Sequence, residues 1–100
     1  MTPLKFHPEV YQDIADAYNW YQQQLDGLGD DFINELEAAY SLISQMPQSW
    51  PKFGKKARRF LLHRFPFAVV YFLFNNELFV VAVMHQSRKP GFWHNRKATT

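Results

Sequence analysis

The chain contains no cysteine, which excludes disulfide staples and thiolate metal centres and fits a reducing compartment. Glycine is scarce, and none of the four glycines builds a phosphate-cradling loop. G-x-S-x-G and H-E-x-x-H are missing as well, which removes the serine-hydrolase and zinc-protease patterns. Four scattered histidines (His7, His63, His85 and His94) predict no metal site, and no cofactor is expected. The longest unbroken apolar run, Phe67 to Phe74, falls far short of the roughly 20 residues a membrane helix needs. No membrane partner is therefore expected. The opening MTPLKFHPEV lacks a basic segment followed by an apolar run, the signal-peptide pattern, so the expected location is cytoplasmic.

Base is nearly absent from the first half. Residues 1–50 hold Lys5 against eight acids, a net charge of −7, while residues 51–100 hold ten bases against Glu77, a net charge of +9. The overall +2 hides this polarity. Lys52, Lys55, Lys56, Arg58, Arg59 and Arg64 form one basic group, and Arg88, Lys89, Arg96 and Lys97 form another. Such asymmetry signals a polyanion, an acidic protein partner, or both. The alternative is an acidic helical layer complementing a basic sheet, but surface ion pairs add little stability and do not call for ten bases. With 47% hydrophobic and 18% aromatic residues, the 100-residue chain reads as one ordered domain over 1–100 with a single core.

Along the chain, Leu4 to His7 predicts a short edge strand, with Pro8 suited to a first helical position. Val10, Ile14, Ala17, Tyr18, Tyr21 and Leu25 recur at helical spacing, predicting a helix over about residues 8–26. Asp26-Gly27-Leu28-Gly29 is a turn in which Gly27 supplies the left-handed conformation. Phe32, Leu36, Ala39, Ile43 and Met46 predict a second helix over about 30–46, stopped by Pro47 and antiparallel to the first. Helical spacing assigns most of Tyr11, Tyr18, Trp20, Tyr21, Phe32 and Tyr40 to the core rather than to base stacking. Residues 48–56 read as a loop, and Phe60 to Arg64 as the start of a strand. Phe67 to Phe74 is the central strand, joined through a two-residue Asn75-Asn76 turn to a strand over Glu77 to His85. Both of these strands are apolar on both faces. One helical hairpin covers one face, so the other either packs against a loop and the C-terminal segment or awaits a partner. With little chain left to cover it, an exposed apolar strip is the expectation. Ile14, Leu36, Ile43, Val69, Tyr71 and Val81 are the expected core.

The chemistry-bearing residues are basic ones at strand ends: Arg58 and Arg59 entering one strand, His85 and Arg88 leaving another. Arginine suits phosphate through two charge-assisted hydrogen bonds, and histidine exchanges protons near neutrality. In a meander those two clusters fall at opposite ends of the sheet, which weakens a single-site reading unless the Lys52–Lys56 loop or the C-terminal tail folds back across. Ser87 reads as a turn residue, neighbouring His85 only in sequence.

A short strand, F-H-P-E opening a helix, a helical hairpin, then R-R-F-L-L-x-x-F-P-F-A-V-x-Y and V-x-A-V-x-H-Q-x-R-x-P resembles the RelE/ParE superfamily of bacterial type II toxin–antitoxin (plasmid stabilisation) toxins over residues 4–96. The resemblance implies an α+β fold with an N-terminal strand and an antiparallel helical hairpin packed on a small, mainly antiparallel sheet. It also implies a cognate antitoxin that neutralises the toxin. RelE-like members cut messenger RNA on the ribosome, whereas ParE-like members poison DNA gyrase. Under the RNase reading the catalytic residues are His85 and Arg88. Under the binding reading Lys52, Lys55, Lys56, Arg58, Arg59, Arg88, Phe92 and Trp93 contact the target. RelE's C-terminal tyrosine has no counterpart after Tyr71, and the H-x-x-R-x-P ending looks more ParE-like. A ParE-like gyrase inhibitor is the expectation, with an RNase and a non-toxic binding protein of the same fold as alternatives.

Overall fold

A computed structural model describes residues 2–88 and Arg96. Two helices, α1 (Val10–Gln24) and α2 (Leu28–Gln45), follow a short strand β1 (Leu4–Phe6), and four strands come after them. These are β2 (Lys52–Phe53), β3 (Ala57–Leu61), β4 (Phe67–Phe74) and β5 (Glu77–His85). The five form one sheet in the order β1-β5-β4-β3-β2. Every pairing is antiparallel except β1 with β5, which is parallel. This is the expected α+β architecture. None of the helices described is long and apolar enough to cross a membrane.

The helical hairpin is set by local chemistry. Pro8 precedes the N-cap, Glu9, rather than opening the helix, and the His7 Nδ1 accepts the Glu9 N–H at 3.1 Å. At the other end, Gly27 takes φ 91° as the N-cap of α2, a conformation that only a residue without Cβ adopts cheaply. The Gln22 side-chain oxygen accepts the N–H groups of both Gly27 (3.1 Å) and Gly29 (2.8 Å), tying the start of α2 to α1. A Cβ on Gly29 would lie 2.8 Å from the Tyr18 carbonyl, so the close approach of the two helices requires glycine there.

The β4–β5 hairpin turns at Asn75 and Asn76, whose φ values of 52° and 62° give the primed turn that matches strand twist. Val70 pairs with Ala82 and Tyr71 with Val80, so Val81 is the extra residue of a β-bulge. Two departures from the sequence reading lie nearby. The segment read as a loop contains β2, and β3 begins at Ala57 rather than at Phe60. A two-residue edge strand is too short for a periodic signal.

Between helices and sheet, Phe32, Leu36 and Ile43 of α2 meet Val69, Tyr71, Leu78 and Val80, all at most 1% exposed. Ile14 packs against this cluster while only partly buried. The other sheet face is not an open apolar strip. Val70, Val81 and Ala82 are fully buried there with Met84, Ala57 and Phe53, and Phe72 packs against them. Phe53 of the edge strand β2 belongs to this second cluster. Exposed apolar side chains occur elsewhere, with Leu73 and Phe74 at the β4–β5 tip and Tyr11 and Trp20 on α1. Tyr11 and Trp20 therefore depart from the core assignment, while Tyr21 and Phe32 keep it.

Candidate functional site

The first basic group is built by the β2–β3 hairpin. Gly54, at φ 81°, turns the chain, and Lys52, Lys55 and Lys56 are all exposed. Lys52 sits directly opposite Arg58, and Phe53 opposite Ala57. The neighbouring arginines Arg58 and Arg59 point to opposite faces, because strand side chains alternate. On the helix side, Arg58 donates from Nη1 to the Trp50 carbonyl at 2.7 Å. On the other side, the Arg59 guanidinium lies 4.2 Å from the centroid of the Phe53 ring. Beside Arg58, burial pushes the Tyr71 phenol up to about 12, with the Arg58 charge opposing the shift. The Tyr71 hydroxyl donates to the Pro47 carbonyl at 2.7 Å. This tyrosine is a structural donor, not an acid poised near neutrality.

Of the second group, Arg88 lies with His85 just past the end of β5, while Lys89 and Lys97 lie outside the described residues. His85 is exposed, its ring edge-on to Phe67 at 5.6 Å between centroids. Ser87 is more than a sequence neighbour, since its N–H donates to the His85 Nδ1 at 3.1 Å and its Oγ lies 2.9 Å from the same nitrogen. Accepting at Nδ1 places the proton of the neutral ring on Nε2. Arg88 is exposed in the same turn, its N–H donating to the His85 carbonyl at 3.0 Å. Next to it, Ala17, Trp20, Tyr21, Pro66, Phe67 and His85 line an apolar cleft of about 520 Å³.

Among the described residues the two groups do not converge. Arg58 is level with Tyr71 and Val80, whereas His85 is level with Phe67. The strand between Phe67 and Tyr71 spans roughly 13 Å at the usual rise. Phe92 and Trp93, also expected at the site, lie outside the described residues.

One constellation has no counterpart in the sequence reading. The Asp13 carboxylate on α1 holds Arg96 in a two-pronged pair, Nη1 to Oδ2 at 2.7 Å and Nη2 to Oδ1 at 2.9 Å. Arg96 Nη1 also donates to the Val81 carbonyl at 3.0 Å, and Asp13 Oδ2 accepts the Val83 N–H at 3.1 Å. The pair thus satisfies backbone groups of β5 beside the bulge, beyond the point where β1 ends. Asp13 raises the Arg96 pKa through its hydrogen bonds, against the opposing effect of burial. In the sequence Arg96 stands out only as part of a charge cluster. No local signal pairs residues 83 positions apart.

A helical hairpin laid on a mixed five-stranded sheet, with an N-terminal strand running parallel to the last one, defines an α+β protein of the RelE/ParE-like class. Residues 4–90 match the family described as the ParE toxin of the type II toxin–antitoxin system parDE, and the chain belongs to that family. Among solved structures it is similar to a chain of the chromosomal ParDE TA system from P. aeruginosa, with a TM-score of 0.74 and 15% identity. The similarity covers 85% of this chain and 96% of that one, and at this identity it concerns the fold. No curated protein is similar enough in sequence to match this chain.

Proposed function

We propose that this ParE-family chain acts in the cytoplasm by binding DNA gyrase and inhibiting it, and that a cognate antitoxin neutralises it. The observation that carries the gyrase reading is the separation of the basic groups. Cleavage of RNA needs cations and a proton-transfer group around one phosphate. Here His85 and Arg88 share one turn, but Arg58 and Arg59 diverge to opposite faces several strand residues away, and the His85 Nδ1 is engaged by Ser87. Binding has no such requirement, since separate patches on one surface each contribute. In this reading Lys52, Lys55, Lys56, Arg58, Arg59, Arg88, Phe92 and Trp93 are the target-binding residues.

The test is to add the purified protein to a gyrase supercoiling assay and to a translating extract. Supercoiling is expected to fail while messages stay intact. The His85→Ala variant is expected to keep its toxicity within a few-fold, whereas loss of a general acid or base typically costs about 10²–10⁴-fold in rate. Codon-phased cleavage with gyrase unaffected sinks the proposal and makes His85 and Arg88 catalytic. Silence in both assays points to a non-toxic binding protein.

For the antitoxin, the net +9 of residues 51–100 and the exposed Trp20, Leu61 and Phe74 call for an acidic, amphipathic segment. Expressed alone, the chain is expected to be poorly soluble or growth-inhibiting, and co-expression of its antitoxin is expected to relieve both. A soluble, monomeric and harmless chain counts against this pairing.

A further inference from the structure

We propose that the β2–β3 hairpin, with Lys52, Lys55 and Lys56, is a docking surface for the phosphate backbone of duplex DNA, read without regard to base sequence. The choice of DNA over duplex RNA rests on the gyrase reading, while the phosphate chemistry stands on the hairpin itself.

Three observations carry it. The hairpin concentrates five cations within residues 52–59, and among the described residues no carboxylate forms an ion pair with any of them. Elsewhere the protein does place acid against base, as in Lys5–Glu77, Arg64–Asp31 and Arg96–Asp13. Secondly, Lys52 and Arg58 are directly opposed across the strands, an arrangement that destabilises a sheet through like-charge repulsion. Stability therefore does not explain the cluster. A polyanion does, because it turns the repulsion into attraction.

The third observation separates nucleic acid from an acidic protein. Protein interfaces are anchored by apolar and aromatic side chains in a desolvated centre. Around the turn, between residues 51 and 58, the chain offers no large exposed apolar side chain: Phe53 is 8% exposed, beneath Arg59, and Leu61, 44% exposed, stands at the opposite end of β3. The same lack disfavours single strands, whose bases need aromatic platforms. What remains is a point-charge surface, with Lys55 and Lys56 at the tip and Lys52 on the edge strand. That suits a row of phosphates, whose neutralisation releases counterions.

The experiment measures binding of the full chain, without gyrase, to two unrelated 30-base-pair DNA duplexes across a salt series. Wild-type protein is expected to bind both equally. With Lys52, Lys55 and Lys56 all changed to Gln, the slope of log affinity against log salt is expected to fall by about 2.7, because three phosphates are no longer neutralised. Between 50 and 200 mM salt, wild-type binding then weakens about 40-fold more than that of the variant. Changing the same three residues to Arg keeps the charge and is expected to restore the wild-type slope, which separates charge from folding. The Gln variant should also unfold at the same or a higher denaturant midpoint, because repulsion is relieved. An unchanged slope in the Gln variant overturns the proposal. Tighter binding of duplex RNA than of DNA overturns the assignment to DNA. Polyglutamate competing as well as DNA, charge for charge, overturns it in favour of an acidic protein. Gyrase is absent throughout, so a failed supercoiling assay and a failed phosphate contact are read separately.

Discussion

Replacing Phe32 with Ala is expected to destabilise the protein by about 3–5 kcal/mol, the range for emptying a fully buried aromatic site. Phe32 has no exposed surface, and its ring meets Tyr21 at 5.5 Å, Phe65 at 5.3 Å and Phe67 at 5.4 Å between centroids. Those partners come from α1, from the turn before β4, and from β4 itself. The cavity would therefore open where helical hairpin and sheet are joined. Rings held on several sides cannot collapse into the gap without moving backbone, so little of the loss is recovered. Domains of this size have about 5–15 kcal/mol of stability in all, so the loss is a substantial share of the total and the denaturation midpoint should fall in proportion. Phe74→Ala is the control: at 65% exposure it should change stability by about 0.5 kcal/mol or less. Urea titration of both variants reads the contrast, and similar midpoints would mean that the aromatic cluster does not hold the two layers together.

The second large effect is expected at Asp13. Its side chain is 14% exposed and that of Arg96 is 12% exposed, so the pair is largely out of water. Removing one partner from a buried pair costs about 3–5 kcal/mol, because the other is left charged and poorly solvated. Asp13→Ala should fall at the lower end, since Arg96 keeps Glu9 at 3.7 Å. The Val83 N–H also loses its acceptor. Asp13→Asn should cost less, because its carbonyl oxygen still receives that N–H while only the charge is lost. Thermal melts should place the Ala variant lowest, more than about 10 °C below wild type, with Asn between them. Equal melting points for Ala and wild type would make the pair a surface contact of no consequence.

How much of this is legible in the sequence depends on how far apart the interacting residues lie. The Asn75-Asn76 turn and the limits of β4 and β5 are readable because two asparagines between apolar runs act within a few residues. The helical hairpin is readable from its spacing and from Gly27, although α1 is a few residues shorter than its periodicity suggests because Pro8 and Glu9 form the entry turn. Leu36, Ile43, Val69 and Tyr71 are recognisable as core for the same reason: periodicity marks a buried face. The site is less legible. Sequence groups Arg58 with Arg59 because they are adjacent, whereas a strand separates neighbours onto opposite faces.

The order of residues alone thus determined the fold class, the two helices, the central hairpin, the charge polarity and the superfamily resemblance, all of which rest on local pattern and composition. Tertiary structure decided the rest. It set β1 parallel beside β5, made an edge strand of Lys52–Phe53, and buried the second sheet face. It also brought Asp13 to Arg96 across 83 positions. Each of these contacts exists only once distant segments have met. A side chain carries no local record of the partner that loop closure and core formation will bring to it.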